Sequence, residues 1–325
     1  MTGPGTDPEA PAIRTVGLTK HYGDVPALVD LDLEVHRGEV FGFLGPNGAG
    51  KTTMIRTVLD LIRPTRGTAA IVGLDSHADA VEIRRHIGYL PSDLSMYPAL
   101  TGRDTLTYFA NLRGGVDWSL VDSLVERLDA DLDKKVGDLS SGNRQKIGLI
   151  QAFMNEPTVI IMDEPSNGLD PLIQQEFQAM MREVAGRGGT VFLSSHTLSE
   201  VQRAAHRVGI IRRGHLVAVE GVHALRSKAI RQVELVFDDA PPVEEFEAVA
   251  GARDVVARGP AIILSFDGLM EDLLTVATGH HLIDINSQEA DLEEVFLAYY
   301  RDEANGGRIG AGGARETERD TGAVV

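Results

Sequence analysis

The chain has 325 residues, with 31 Lys and Arg against 48 Asp and Glu for a formal net charge of −17, and no cysteine. That length accommodates two domains, and the acidic balance gives no overall basic footprint, so no nucleic-acid partner is expected. The missing thiols exclude disulfides, thiolate metal sites and a cysteine nucleophile, and they fit a reducing compartment. The longest apolar runs, around Val159 to Met162 and Ala261 to Leu264, fall far short of the roughly 20 residues that span a bilayer. Met1 to Pro8 carries neither a basic n-region nor an apolar h-region, so residence in the cytosol is expected.

In chain order, residues 1–11 are rich in Pro and Gly and are expected to be disordered. From Ile13 to about Gly221, short apolar runs alternate with helical patterns: Val40 to Leu44, Val159 to Met162, Val191 to Leu193 and Val208 to Ile211. Continuous apolar strands imply a sheet covered on both faces, hence a mostly parallel α/β core over 12–222. After the first of these strands comes Gly45-Pro46-Asn47-Gly48-Ala49-Gly50-Lys51-Thr52, followed by Thr53 and a helix expected to run from Lys51 to Ile62. The glycines let successive N–H groups point inward at a triphosphate, helped by the partial positive charge of the helix start. Lys51 would reach the β- and γ-phosphates, and the Thr52 hydroxyl would ligate Mg²⁺.

Strand signals stop over about 92–155, where a helical subdomain is expected. Thr101-Gly102-Arg103-Asp104 reads as a capping box opening a helix with Leu106, Phe109 and Leu112, and Leu120, Leu124 and Leu128 mark another. The apolar strand Thr158 to Met162 then delivers two adjacent carboxylates: Asp163 to hold Mg²⁺, and Glu164 as general base on the water that attacks the γ-phosphate.

A second module is expected over 223–303, with 17 acidic residues against 6 basic ones. Its order, β-α-β-β-α-β-α, is that of a small ferredoxin-like α+β domain. The last helix is marked by Leu292, Val295, Phe296 and Tyr299, and the tail 304–325 is expected to be disordered.

The phosphate loop, Leu139-Ser140-Ser141-Gly142-Asn143, Asp163-Glu164-Pro165 and Ser195-His196 together resemble the ATP-binding subunits of ABC transporters, over about Ile13 to Gly221. The likeness is greatest to stand-alone subunits of ABC-2-type exporters, including drug and antibiotic efflux systems. It implies a P-loop NTPase core of the ABC ATPase type and a homodimer in which each MgATP lies between the phosphate loop of one copy and the signature loop of the other. It also implies a separate membrane permease that holds this chain at the cytoplasmic face of the membrane.

The same resemblance implies that Tyr22 stacks on adenine, and that Ser140 and Gly142 meet the γ-phosphate across the dimer with Asn143 in the usual Gln position. His196 is the switch histidine that bonds the γ-phosphate and orients Glu164, and Asn167-Gly168-Leu169-Asp170 is the loop that crosses the dimer interface. One departure stands out. After Ile87-Gly88-Tyr89-Leu90-Pro91 the family usually has Gln, a Mg²⁺ ligand, where this chain has Ser92 and then Asp93; either residue is a candidate to replace it. The C-terminal module is open to three readings: regulating closure, adding dimer contacts, or serving as a structural appendage. Two other functions stay open at this level, a soluble ABC-type ATPase that moves nucleic acid on ribosomes or DNA, and a nucleotide-binding regulator that scarcely hydrolyses.

Overall fold

A computed structural model of the chain describes residues 9–222, 224–225, 231–239 and 241–288. The expected last helix lies outside those residues, as do residues 1–8 and 304–325 of the expected disordered ends. Ala10, read as part of a disordered start, is anchored, because its carbonyl accepts from Arg37 Nε at 2.9 Å.

Three strands with every residue buried form the centre: β3 (Val40–Leu44), β7 (Val159–Asp163) and β8 (Thr190–Ser195). With β6 (Ile87–Leu90), β9 (Arg207–Arg212) and β10 (His215–Gly221) they make a six-stranded sheet in the order β10-β9-β3-β8-β7-β6, parallel except for the β10–β9 pair. Period-two alternation sends Val159 and Ile161 to one face and Ile160 and Met162 to the other. The first face packs with Phe41, Phe43 and Phe192, whose rings lie 5.5 to 5.9 Å apart, on α1 (Lys51–Val58). Against the second face lie α6 (Pro171–Gly186) and the expected helical subdomain, built of α3 (Gly102–Leu112), α4 (Trp118–Leu128) and α5 (Ser141–Phe153). This part also contains the short helices α2 (Ala80–His86) and α7 (Leu198–Ala204).

One expectation is incomplete and another needs correction. The mostly parallel core expected from Ile13 is accompanied by a separate antiparallel sheet, in which β1 (Ile13–Tyr22), β2 (Val25–Val35), β4 (Arg66–Ile71) and β5 (Leu74–Asp75) run in the order β2-β1-β4-β5. Its alternation is interrupted by register shifts along β1, where Gly17 has a φ of 56°. The helix after the phosphate loop also ends four residues early, at Val58. Asp60 takes a left-handed backbone (φ 54°), and the N–H groups of Leu61 and Ile62 both fold back to the Arg56 carbonyl.

The helical subdomain is held by local devices. Thr101 caps α3, its hydroxyl accepting from Asp104 N–H at 3.1 Å while the Asp104 carboxylate accepts from Thr101 N–H at 3.2 Å. The Thr101 hydroxyl, which also donates to Asp104 Oδ2 at 2.7 Å, and then the Thr101 N–H hold the Asp104 carboxyl below the usual range, so the box's stabilisation is present above the ordinary Asp pKa and fades as pH falls through the lowered one. Thr101→Ala is expected to cost about 1 kcal/mol. Denaturant titration should show a lower midpoint with the same slope. Arg127 of α4 reaches α6, pairing with Glu183 through two bonds of 2.7 and 2.8 Å and with Glu176 at 2.5 Å. The Glu183 bonds lead in raising the basicity of this guanidinium, and the fork fixes the subdomain to the core.

The first six elements of the expected ferredoxin-like order, β-α-β-β-α-β, are also found. Strands β11 (Arg231–Phe237), β12 (Ala252–Arg258), β13 (Ala261–Phe266) and β14 (Leu282–Gln288), with α8 (Val243–Glu247) and α9 (Met270–Thr278), give an antiparallel sheet in the order β12-β13-β11-β14. Val233, Leu235, Phe237, Ile262, Leu264 and Phe266 bury one face of it against Phe246 and Leu273.

Candidate functional site

Four neighbouring parallel strands end on the same edge, and each end carries one of the motifs. The register aligns Leu44 with Ser195, Asp163 with Ser194 and Leu90 with Met162. The phosphate loop follows β3, Asp163 and Glu164 end β7, Ser194 to His196 end β8, and Ser92 follows β6. The carboxyl edge of an open α/β sheet is where ligands bind, because loops from several strands converge there.

The phosphate loop is close-packed, and its glycines are obligatory for two different reasons. A Cβ on Gly45 would lie 2.4 Å from the Ile211 carbonyl, so the backbone there has no room for a side chain. Gly50 has a φ of 114°, which L-residues rarely adopt, as it turns the chain into α1. Lys51, 5% exposed, donates from Nζ to the carbonyls of Gly45 (2.6 Å) and Pro46 (3.3 Å) and lies 3.1 Å from Glu164 Oε1. Pro46, Asn47, Gly48, Ala49, Gly50, Lys51, Thr52, Thr53, Ser92, Ala27 and Glu164 line a cleft of about 310 Å³.

At the floor of the site, Thr52 Oγ1 donates to Asp163 Oδ2 at 2.7 Å and the buried Ser194 hydroxyl donates to Asp163 Oδ1 at 2.5 Å. A hydroxyl beside a fully buried carboxylate is a hard-oxygen donor set, which fits Mg²⁺. Tyr89, on the neighbouring strand, has its hydroxyl pushed to higher pKa by burial first and by Asp163 second. Ser92 and Asp93 are both exposed, and only Ser92 lines the cleft.

Glu164 is held in a left-handed backbone conformation, φ 53°, at a cost of about 1–2 kcal/mol for a residue with a Cβ. Its N–H is pinned by the carbonyl (3.2 Å) and hydroxyl (3.0 Å) of Ser194. The strained turn aims the carboxylate across the strand ends, so that Oε1 faces Lys51 and Oε2 meets His196 Nδ1 at 2.7 Å. The side chain of His196 is half-exposed, whereas that of Glu164 is 12% exposed.

The other expected residues lie elsewhere on the chain. Ser140, Gly142 and Asn143 stand at the start of α5, and none of them lines the cleft made by this chain's own phosphate loop. Ser140 Oγ accepts from Asn143 N–H at 3.2 Å, capping the helix. The Asn143 amide is engaged with Asp131, accepting from its N–H at 2.8 Å and donating to its carbonyl at 2.7 Å. Gly142 packs against Gly168 of the loop after Glu164, and Asp170 caps α6 by accepting from Leu172 and Ile173 N–H groups. Tyr22, at the end of β1, is half-exposed, with the Lys20 ammonium 5.2 Å from its ring centre.

Sequence reasoning missed Ser194, Gln145 and Glu200. Gln145 is buried and donates to the Pro165 carbonyl at 2.8 Å, and Glu200 accepts from the hydroxyls of Ser195, at 2.6 Å, and Ser166. Burial pushes the Glu200 carboxyl up, against those two hydrogen bonds. A visible signal for Ser194 was its place at the polar end of a buried run, two residues before a histidine. No comparable signal marks Gln145.

Comparison with known proteins agrees with this geometry. Residues 28–167 match the family model described as ABC transporter. The chain is 35% identical over 291 residues to the bacitracin transport ATP-binding protein BcrA of Enterococcus faecalis, covering 87% of this chain and 94% of that protein. It is 31% identical over 303 residues to the Nod factor export ATP-binding protein I of Rhizobium meliloti, covering 90% and 89% respectively. A solved ATP-binding subunit of an ABC transporter superposes with a TM-score of 0.61 at 30% identity, over 67% of this chain and 92% of that one. A dimeric ATP-binding cassette solved with ADP and Pi shares the fold, with a TM-score of 0.60 at 21% identity over 65% and 98%. On these matches and the strand-end constellation, the chain belongs to the ATP-binding subunits of ABC transporters and is an ATPase.

Proposed function

We propose that this ATPase closes as a homodimer on two MgATP and drives export through an ABC-2-type permease, with its nucleotide-binding unit over 12–222 and an accessory domain over 223–303. The observation that carries the reading is the joining of Lys51, Glu164 and His196 by contacts of 3.1 and 2.7 Å, beside the Thr52–Asp163 pair. Loop N–H groups and Lys51 hold the triphosphate, and Glu164 takes a proton from the attacking water while His196 keeps it aimed at the γ-phosphate. Thr52, Asp163 and Ser92 would hold Mg²⁺, which would supply charge neutralisation at the phosphate oxygens. Ser140, Gly142 and Asp170 serve the second copy's nucleotide, and Tyr22 stacks on adenine.

No helix among the described residues is long and apolar enough to cross a membrane, which supports a separate permease. The names of the bacitracin and Nod factor relatives support export, with a peptide antibiotic or another amphiphile as cargo. The acidic charge disfavours nucleic acid as the thing moved. The test is co-purification of the chain from membranes with a protein of about six spans, whose addition should raise Mg²⁺-dependent ATP hydrolysis. If no membrane protein accompanied the chain and vesicles bearing the candidate permease left its ATPase rate unchanged, the export reading would be overturned.

A further inference from the structure

The segment Thr197-Leu198-Ser199-Glu200 opens α7 with the spacing of a capping box, and the structure spends Glu200 on something else. At Thr101 to Asp104 the same spacing closes on itself, whereas Thr197 makes no side-chain cap. Glu200 turns instead across two loops, one oxygen accepting from Ser166 and the other from Ser195 at 2.6 Å. Ser166 stands two residues after Glu164, and Ser195 immediately before His196.

The proton count at Ser195 shows why the carboxylate matters. Its single hydroxyl proton has two acceptors in reach, Glu200 Oε2 at 2.6 Å and the Thr197 carbonyl at 3.2 Å, while its oxygen accepts from Thr197 N–H at 2.9 Å. The shorter, charge-assisted bond takes the proton. Glu200 does not line the phosphate cleft. The loop it grips is also held by Gln145, which donates to the Pro165 carbonyl.

We propose that Glu200 is a positioning residue for ATP hydrolysis: one carboxylate, by taking a hydroxyl from each loop, fixes the separation at which Glu164 and His196 meet. The proposal rests on the roles given above to Glu164 and His196. With Glu200 truncated, Ser166 loses its acceptor and the Ser195 proton turns to Thr197, so the two loops lose their side-chain anchor and keep the backbone link from Glu164 N–H to Ser194. A small misplacement of an aligned group costs up to about 100-fold in rate.

The test compares full-length E200A, E200Q, S166A and the S166A/E200A double variant by ATP turnover and by nitrogen-resolved NMR of the histidine rings. E200A should lower kcat on the order of 10- to 100-fold with KM for ATP changed by less than about twofold. Glutamine still accepts one hydroxyl and donates to the other oxygen, so E200Q should recover most of the loss. The double variant should be no slower than E200A alone, since both changes break one link. The hydrogen-bonded Nδ1 signal of His196, assigned by its loss in H196A, should be present in the parent and absent or shifted in E200A. Parental kcat in E200A, or an unchanged His196 signal alongside a fall in melting temperature, would overturn the proposal. Failure of the underlying roles would look different, because the parent would then show no hydrogen-bonded His196 signal.

Discussion

Replacing Glu164 with Gln is expected to lower ATP turnover by about 100- to 10,000-fold while leaving ATP binding intact or tighter. The substitution keeps the size of the side chain, and an amide oxygen still accepts from His196 Nδ1, so the 2.7 Å contact survives in form. What disappears is the proton acceptor, and with it roughly 3–5 kcal/mol of transition-state stabilisation. Lys51 loses its ion-pair partner at 3.1 Å but retains the carbonyls of Gly45 and Pro46. For a cation 5% exposed that loss should cost the nucleotide-free protein about 1–3 kcal/mol, less than for a buried pair left wholly broken, because two acceptors remain. A triphosphate then competes for Lys51 against no carboxylate and meets no like charge from Glu164, so ATP should restore the melting temperature beyond the parent's own gain. Phosphate release, nucleotide titration and thermal melts check the three parts. Turnover at the parental rate would remove Glu164 as the base.

Legibility in the sequence followed physical locality. The phosphate loop, the Asp163-Glu164 pair and the Thr101 capping box are contiguous, so backbone geometry and chemistry are written together. The fully buried strands were plain for the same reason, since a short unbroken apolar run such as Val159 to Met162 leaves few alternatives. The antiparallel sheet was harder because its partners, Ile13 with Val35 and with Ile71, are distant in sequence and its pattern slips at bulges. Even so, Leu31, Leu33 and Val35 alternate with exposed residues, the mark of a half-covered strand that the helix-alternation reading passed over. In the C-terminal part, local strand and turn signals sufficed for the element order as far as β14. Among side-chain links between loops, the His196–Glu164 contact was expected through the family resemblance, whereas spacing alone revealed none of them. That Ser194 lies on Asp163, or Gln145 on Pro165, depends on which strands are neighbours, and one-dimensional spacing does not carry that information.

The other large effect is expected where two backbones touch. Gly142, in the first turn of α5, lies so near the loop after Glu164 that a Cβ would come 2.6 Å from the Gly168 carbonyl oxygen. The obstacle is backbone, held in place by the turn at Gly168 (φ 78°) and by the Asp170 cap of α6, so it cannot swing aside as a flexible side chain would. Gly142→Ala must therefore push the start of α5 away from residues 165–170. Helix propensity opposes this, because alanine in place of glycine favours the helix by about 1 kcal/mol, against an overpacking cost of about 1–3 kcal/mol. Global stability should consequently fall by no more than about 2 kcal/mol, the difference between those two ranges. Function should suffer far more. Ser140, Gly142 and Asp170 are the groups proposed to meet the second copy, and their relative placement is what the added methyl disturbs. Turnover is expected to drop on the order of 100-fold. ATP affinity of the single copy should stay near that of the parent, since none of these three residues lines its own cleft. Sedimentation with ATP in a Glu164→Gln background would separate the alternatives. A dimer that forms with parental affinity despite Gly142→Ala would show that this contact has no part in closure, whereas a monomer that still binds ATP would tie the approach of α5 and the 165–170 loop to the pairing of two chains.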